Sequence, residues 1–247
     1  MDRVQGVLSV ATTQHRIAKT DDGYVHYGDT LLLRHGESGR VVSYVAQSHS
    51  LEGDTLPVAA AQGEGLARLH RSVFTIAPRG HSMLPGQPLC FGEQFSLVAT
   101  DPFGLERNLH SQRISLHGGA SLISGKQSVS LAPASDKPNH DHAWEVLCID
   151  PSYRLETEGQ PVPANAPILL RHVASHQLLA VLDTHLVRSE LGAEPEVVCH
   201  TFLSQYKIPL PPHHFILELD VDMALSADST RGDGAAVDGV AKEGPNG

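Results

Sequence analysis

The residues best placed by type and spacing to do chemistry are Leu33-Arg34-His35-Gly36-Glu37-Ser38. A guanidinium beside an imidazole suits phosphoryl transfer, the histidine taking the group and the arginine holding its oxygens. A second half stands at Leu116-His117-Gly118-Gly119, where His117 would join Arg34 in gripping the transferring group. Sixteen histidines also invite a metal, above all at His140-Asp141-His142 and His213-His214, yet no cysteine partner and no H-E-x-x-H spacing completes a zinc site. Surface polar histidines are the plainer account. Gly125-Lys126-Gln127 fails as a phosphate-cradling loop, because Ala120 stands where glycine is needed and Gln127 where a magnesium-binding hydroxyl is needed.

The elements that must position these groups argue against transfer chemistry. The Arg-His-Gly-Glu string resembles the signature of histidine phosphatases, whose fold alternates strands with long helices. Here Gly39-Arg40-Val41-Val42-Ser43-Tyr44 reads as the return strand of a hairpin, and Leu-Leu-Arg-His recurs at 169–172 without the Gly-Glu. Recurrence of that kind marks a structural repeat.

Three segments share the plan strand, turn, strand. They are Tyr27-Gly28-Asp29 running to His35 and then Val41–Ser43, Phe91-Gly92-Glu93 running to Thr100 with a Pro-Phe-Gly turn at 102–104, and Asn165-Ala166 running to His172 and then Leu178–Ala180. In each, Gly28, Gly92 or Asn165 stands where the backbone needs positive φ. Three repeated hairpins are the plan of a β-trefoil, a closed six-stranded barrel capped by hairpins that leaves no sheet edge exposed. Further strands are expected at Val73–Ala77, Ile114–Leu116, Ser128–Leu131, Glu145–Ile149, Val197–Leu203 and Phe215–Leu219. The Ala-rich stretch Val58–His70 has helical spacing and is expected to form one short helix in an insertion. The fold class is therefore all-β: an N-terminal arm over 1–22, a trefoil over 23–219, and an acidic tail over 220–247 with the composition of disorder.

With 28 acidic against 18 basic residues the formal charge is -10, so no nucleic acid and no membrane surface is expected as a partner. Cys90, Cys148 and Cys199 form no disulfide framework, which fits a reducing, intracellular compartment. No segment approaches the roughly 20 apolar residues of a spanning helix, and a soluble protein is expected. Trp144 with Tyr24, Tyr27 and Phe91 is open to reading as a sugar-stacking set, although aromatics that plug the core and its hairpin caps fit better.

Gly23-Tyr24-Val25-His26-Tyr27-Gly28-Asp29 resembles the hairpin of MIR-like trefoils. Trp144, Asp150-Pro151, the run Arg154-Leu155-Glu156-Thr157-Glu158-Gly159-Gln160-Pro161-Val162-Pro163-Ala164-Asn165-Ala166, and Glu196–Thr201 are similar to the cilia- and flagella-associated protein 161 family. The resemblance spans about Asp22 to Leu219 and implies a non-catalytic MIR-like β-trefoil. It implies a microtubule inner protein in the A-tubule lumen of axonemal doublets, contacting α/β-tubulin and neighbouring inner proteins and needing no cofactor. The partner-facing groups expected are the insertion loops and Glu156, Glu158, Gly159, Pro161, Pro163 and Ala164, since two prolines preorganise that run. A rigid turn between repeats, with no partner, is the alternative for the same run.

Overall fold

The computed structural model describes residues 2–46, 55–62, 68–79, 83–134 and 139–221. Helix α1 (Asp2–Ala11) leads into a two-residue strand β1 (Lys19–Thr20). Twelve strands then fall into three lobes of four. The first lobe is β2 (Thr30–His35), β3 (Val41–Tyr44), β4 (Leu56–Ala61) and β5 (Val73–Pro78). The second is β6 (Gln94–Thr100), β7 (Glu106–Ser111), β8 (Gln127–Pro133) and β9 (Trp144–Leu147). After a short helix α2 (Arg154–Thr157) the third is β10 (Pro167–His172), β11 (Leu179–Ser189), β12 (Gly192–Cys199) and β13 (Phe215–Glu218), followed by β14 (Asp220–Val221).

The first and last strands of each lobe close a six-stranded antiparallel barrel. β2 pairs with β5, β5 with β6, β6 with β9, β9 with β10, β10 with β13, and β13 returns to β2. The middle strands of each lobe form hairpins, and β4, β8 and β12 pair with one another across the cap. This is the β-trefoil expected from the repeats, and every barrel strand has two neighbours, so no backbone edge is left open. Inward residues at matching places are all buried: Leu31, Phe95 and Ile168 on the leading strands, Phe74, Trp144 and Phe215 on the closing ones. Full burial of each such side chain stabilises by about 1.5–3 kcal/mol.

Three expectations fail, each for a physical reason. Val58–Ala61 belongs to strand β4 and not to a helix, with Leu56 and residues 58–61 buried. A strand covered on both faces shows no alternation, and alanine's helix propensity yields to cross-strand pairing with β3. Residues 63–67 of that expected helix lie outside the described set. Ile114–Leu116 is exposed loop between β7 and β8, and the strand expected over Val197–Leu203 ends at Cys199. Among the described residues the α-helices stand instead at Asp2–Ala11 and Arg154–Thr157. Val7 and Ala11 of α1 pack into the core, and β1 pairs in parallel with β14, so the stretch before the first hairpin is laid on the barrel. The acidic tail lies outside the described residues from 222 on.

Candidate functional site

The three repeat turns are built alike. Gly28, Gly92 and Asn165 have φ of 97°, 82° and 59°, the left-handed region that the sequence pattern requires there. Each amide donates to the closing strand of its own lobe: Gly28 to Ile76 O at 2.8 Å, Gly92 to Val146 O at 3.0 Å, and Asn165 to Leu217 O at 3.0 Å. Asp29 and Glu93 cap their turns by accepting from the His26 and Cys90 amides at 2.7 and 3.0 Å. Ala166 has no such group, and Asn165 compensates: its amide side chain both accepts from Leu219 N and donates to Leu219 O. Tyr27 is buried and donates its hydroxyl to Glu93, joining the first two lobes.

Just before each turn, the chain seals the barrel floor. Val25 N donates to Val162 O, Leu89 N to Val25 O and Val162 N to Leu89 O, at 3.0, 2.8 and 2.8 Å, a closed ring of three fully buried residues. Pro161 and Pro163 flank one corner of this ring, bridged to Cys90 and Tyr24, and Ala164 N donates to Gly23 O. Pro161, Pro163 and Ala164 therefore act first as floor, with proline tolerated because the bonds here use Gln160 O, Val162 N and O, and Ala164 N, and none calls for a proline N–H. Glu156, Glu158 and Gly159 instead remain exposed, beside Tyr153 at 55% and Leu155 at 84% exposure. Between this turn and β9 lies a cavity of about 350 Å³ whose walls include Phe91, Arg154, Leu155, Glu158 and Arg171. Arg154 Nε donates to Cys148 O, and Arg171 pairs with Glu145, so the walls are fixed and carry both charges. Gly92 admits Glu158 to this wall, since a Cβ there would lie 3.3 Å from Glu158 Cγ.

The Arg34-His35 string is used in packing. His35 is 1% exposed, with Nδ1 at 2.8 Å from Ser38 Oγ and Nε2 at 3.2 Å from Pro211 O. His172, at the matching place in the third lobe, repeats this with Ser175 Oγ at 2.8 Å and Asp141 O at 3.1 Å. Both ring nitrogens are engaged in both cases, which removes the accessible lone pair a phosphoryl acceptor needs. Arg34 and Arg171 each pair with a glutamate on a neighbouring barrel strand, and His117 stands exposed on the β7–β8 loop. The arrangement required for transfer through His35 is absent. Trp144 and Tyr27 are buried core aromatics and offer no face for stacking a sugar. His142 and His213 are buried as well.

Partners and burial together favour the neutral ring in these histidines. His213 Nε2 accepts from Phe202 N at 2.8 Å while Nδ1 faces Leu179 O at 2.9 Å, a set only the neutral ring satisfies. Burial is the first cause that lowers the pKa of His35, His172 and His213, and with the neighbouring His110 it takes His142 down to about 4. A folded-state pKa below the unfolded value means that acid protonates the unfolded chain first. Stability is therefore full above about pH 6.5 and is lost as pH falls below it, by up to about 1.4 kcal/mol per pH unit for each histidine. Urea unfolding from neutral to mildly acidic pH checks this, and a flat profile would refute it.

The comparisons with known proteins agree with this geometry. The family described as Cilia- and flagella-associated protein 161-like domain matches residues 40–210. Cilia- and flagella-associated protein 161 of Mus musculus is 31% identical over 219 residues, covering 82% of this chain and 71% of that one. The Danio rerio protein of the same name is 29% identical, covering 81% and 70%. Among solved structures, the SDF2-like protein from Arabidopsis thaliana superposes with TM-score 0.58 at 16% identity, covering 81% of this chain and 99% of that one. A Caenorhabditis elegans protein of unknown function gives 0.60 at 16% identity, covering 81% and 98%. These structural likenesses bear on the fold alone. With the family match running over more than half its length, the chain belongs to the cilia- and flagella-associated protein 161 family.

Proposed function

We propose that this protein is a structural component of motile cilia or flagella, a microtubule inner protein that binds α/β-tubulin from the A-tubule lumen of axonemal doublets and stabilises them beside neighbouring inner proteins. Membership of the family carries the ciliary placement. The closed trefoil supports a contact role, because loops held by a sealed barrel lose little freedom on docking. The rigid turn over 151–160, with Tyr153 and Leu155 exposed beside a cavity of mixed charge, is the surface offered. Tubulin is acidic and the chain carries -10, so long-range attraction adds nothing and affinity comes from local fit repeated along a lattice.

A tagged copy is expected to lie along axonemes and to resist detergent and salt extraction. Leu155→Asp with Glu158→Lys should release it at lower salt without changing the melting temperature. Diffuse cytoplasmic signal for the parent protein would refute the proposal.

A further inference from the structure

A second cavity, of about 510 Å³, lies where the β7–β8 loop meets the turn after β10 and the end of β12. It is remote in sequence from the 151–160 turn, and its volume is in the range that holds small organic ligands. Arg113, Lys126 and His200 line it, and no carboxylate does. That is notable in a chain with ten more acids than bases. Among the described residues Arg34, Arg68, Arg71, Arg107 and Arg171 each have a carboxylate partner, while the Arg113 and Lys126 side chains have none. Glu196, which accepts from Ser121 through Oε1, is not among the lining residues, and its Oε2 is buried without a partner among the described residues. Cys199 adds no negative charge, since burial pushes its thiol up to about 12.

The uncharged wall is equally directional. Gln177 Oε1 accepts from Thr201 N, which leaves its amide hydrogens for the cavity. Gln127 is buried and spends its amide nitrogen on Ser111 and Ser175, which leaves its oxygen as an acceptor. Cationic donors, a neutral amide donor and an acceptor together match an anion carried on a hydroxyl-bearing frame. Gly125-Lys126-Gln127 fails as a nucleotide loop by residue type, yet the fold places Lys126 on the wall of this cavity.

We propose that this cavity binds a small soluble organic phosphate, with Arg113 and Lys126 gripping the phosphate oxygens and Gln127 and Gln177 the hydroxyls. The site is separate from the tubulin-facing reading and does not depend on it. Titration calorimetry of the full chain with fructose bisphosphate, fructose and inorganic phosphate is the test. Fructose bisphosphate is expected to bind at one site, fructose not at all, and Arg113→Gln with Lys126→Gln to weaken binding by about tenfold or more. The unliganded double variant should melt where the parent does, because neither side chain is in the packed core. No saturable binding, binding unchanged in the double variant, or equal affinity for inorganic phosphate would each overturn the proposal. Tighter association with phosphatidylcholine vesicles carrying phosphoinositide than with the sugar phosphate would move the phosphate onto a lipid and overturn it too.

Discussion

Replacing Trp144 by alanine is expected to lower the free energy of unfolding by about 3–5 kcal/mol. The indole is fully buried, registers against Phe95 on one side and His172 on the other, and donates from Nε1 to Leu109 O at 2.9 Å. That last bond ties the barrel to the cap hairpin of the second lobe, so truncation opens a cavity and also orphans a buried carbonyl. Trp144→Phe separates the two effects: it keeps most of the packing, loses the donor, and should cost about 1–3 kcal/mol. Urea unfolding followed by circular dichroism reads both variants. An alanine variant within about 1 kcal/mol of the parent would show that the core relaxes around the gap and that the packing account is wrong.

The second large effect is expected at Arg107→Met. Asp101 and Arg107 are each 1% exposed, and the Asp101 carboxylate accepts from Phe103 N, Leu105 N and Arg107 Nε at 2.8, 2.9 and 2.7 Å. The arrangement holds the β6–β7 turn, where the second lobe has Ala99 in place of the histidine that the other two use. Methionine keeps much of the stem but leaves a carboxylate buried without its counter-charge, a loss of about 3–5 kcal/mol. The double variant Asp101→Asn with Arg107→Met removes the stranded charge and should recover part of that loss. A double variant as unstable as the sum of the two singles would mean the residues do not act as a pair.

Much of the fold was legible because its information is local and repeated. Positive φ at Gly28, Gly92 and Asn165 is written in residue type, and the recurring Leu-Leu-Arg-His strings fall on β2 and β10 at matching places in the barrel. Strand β4 was hidden because a segment buried on both faces has no two-residue period to read. α1 is not legible in the sequence because its amphipathic face is short and gains its partner only when the barrel has formed. The candidate surfaces were less legible still. Pro161 and Pro163 announce rigidity, but one strand of sequence cannot say that Val162 between them closes a ring with Val25 and Leu89.

By itself the sequence determined a threefold run of hairpins, a body with more acid than base, and the resemblance that placed it in its family, since periodicity, charge and motif are properties of the chain order. Only the tertiary structure decided the fate of its chemical-looking residues. Whether an imidazole reacts or packs depends on which groups reach its two nitrogens, and those of His35 come from Ser38 nearby and from Pro211 in another lobe. Arg34, Arg71 and Arg107 likewise became packing groups, while Arg113 and Lys126 kept their charge facing open space. Such assignments rest on contacts between residues far apart in sequence, which only closing the barrel brings within hydrogen-bond range.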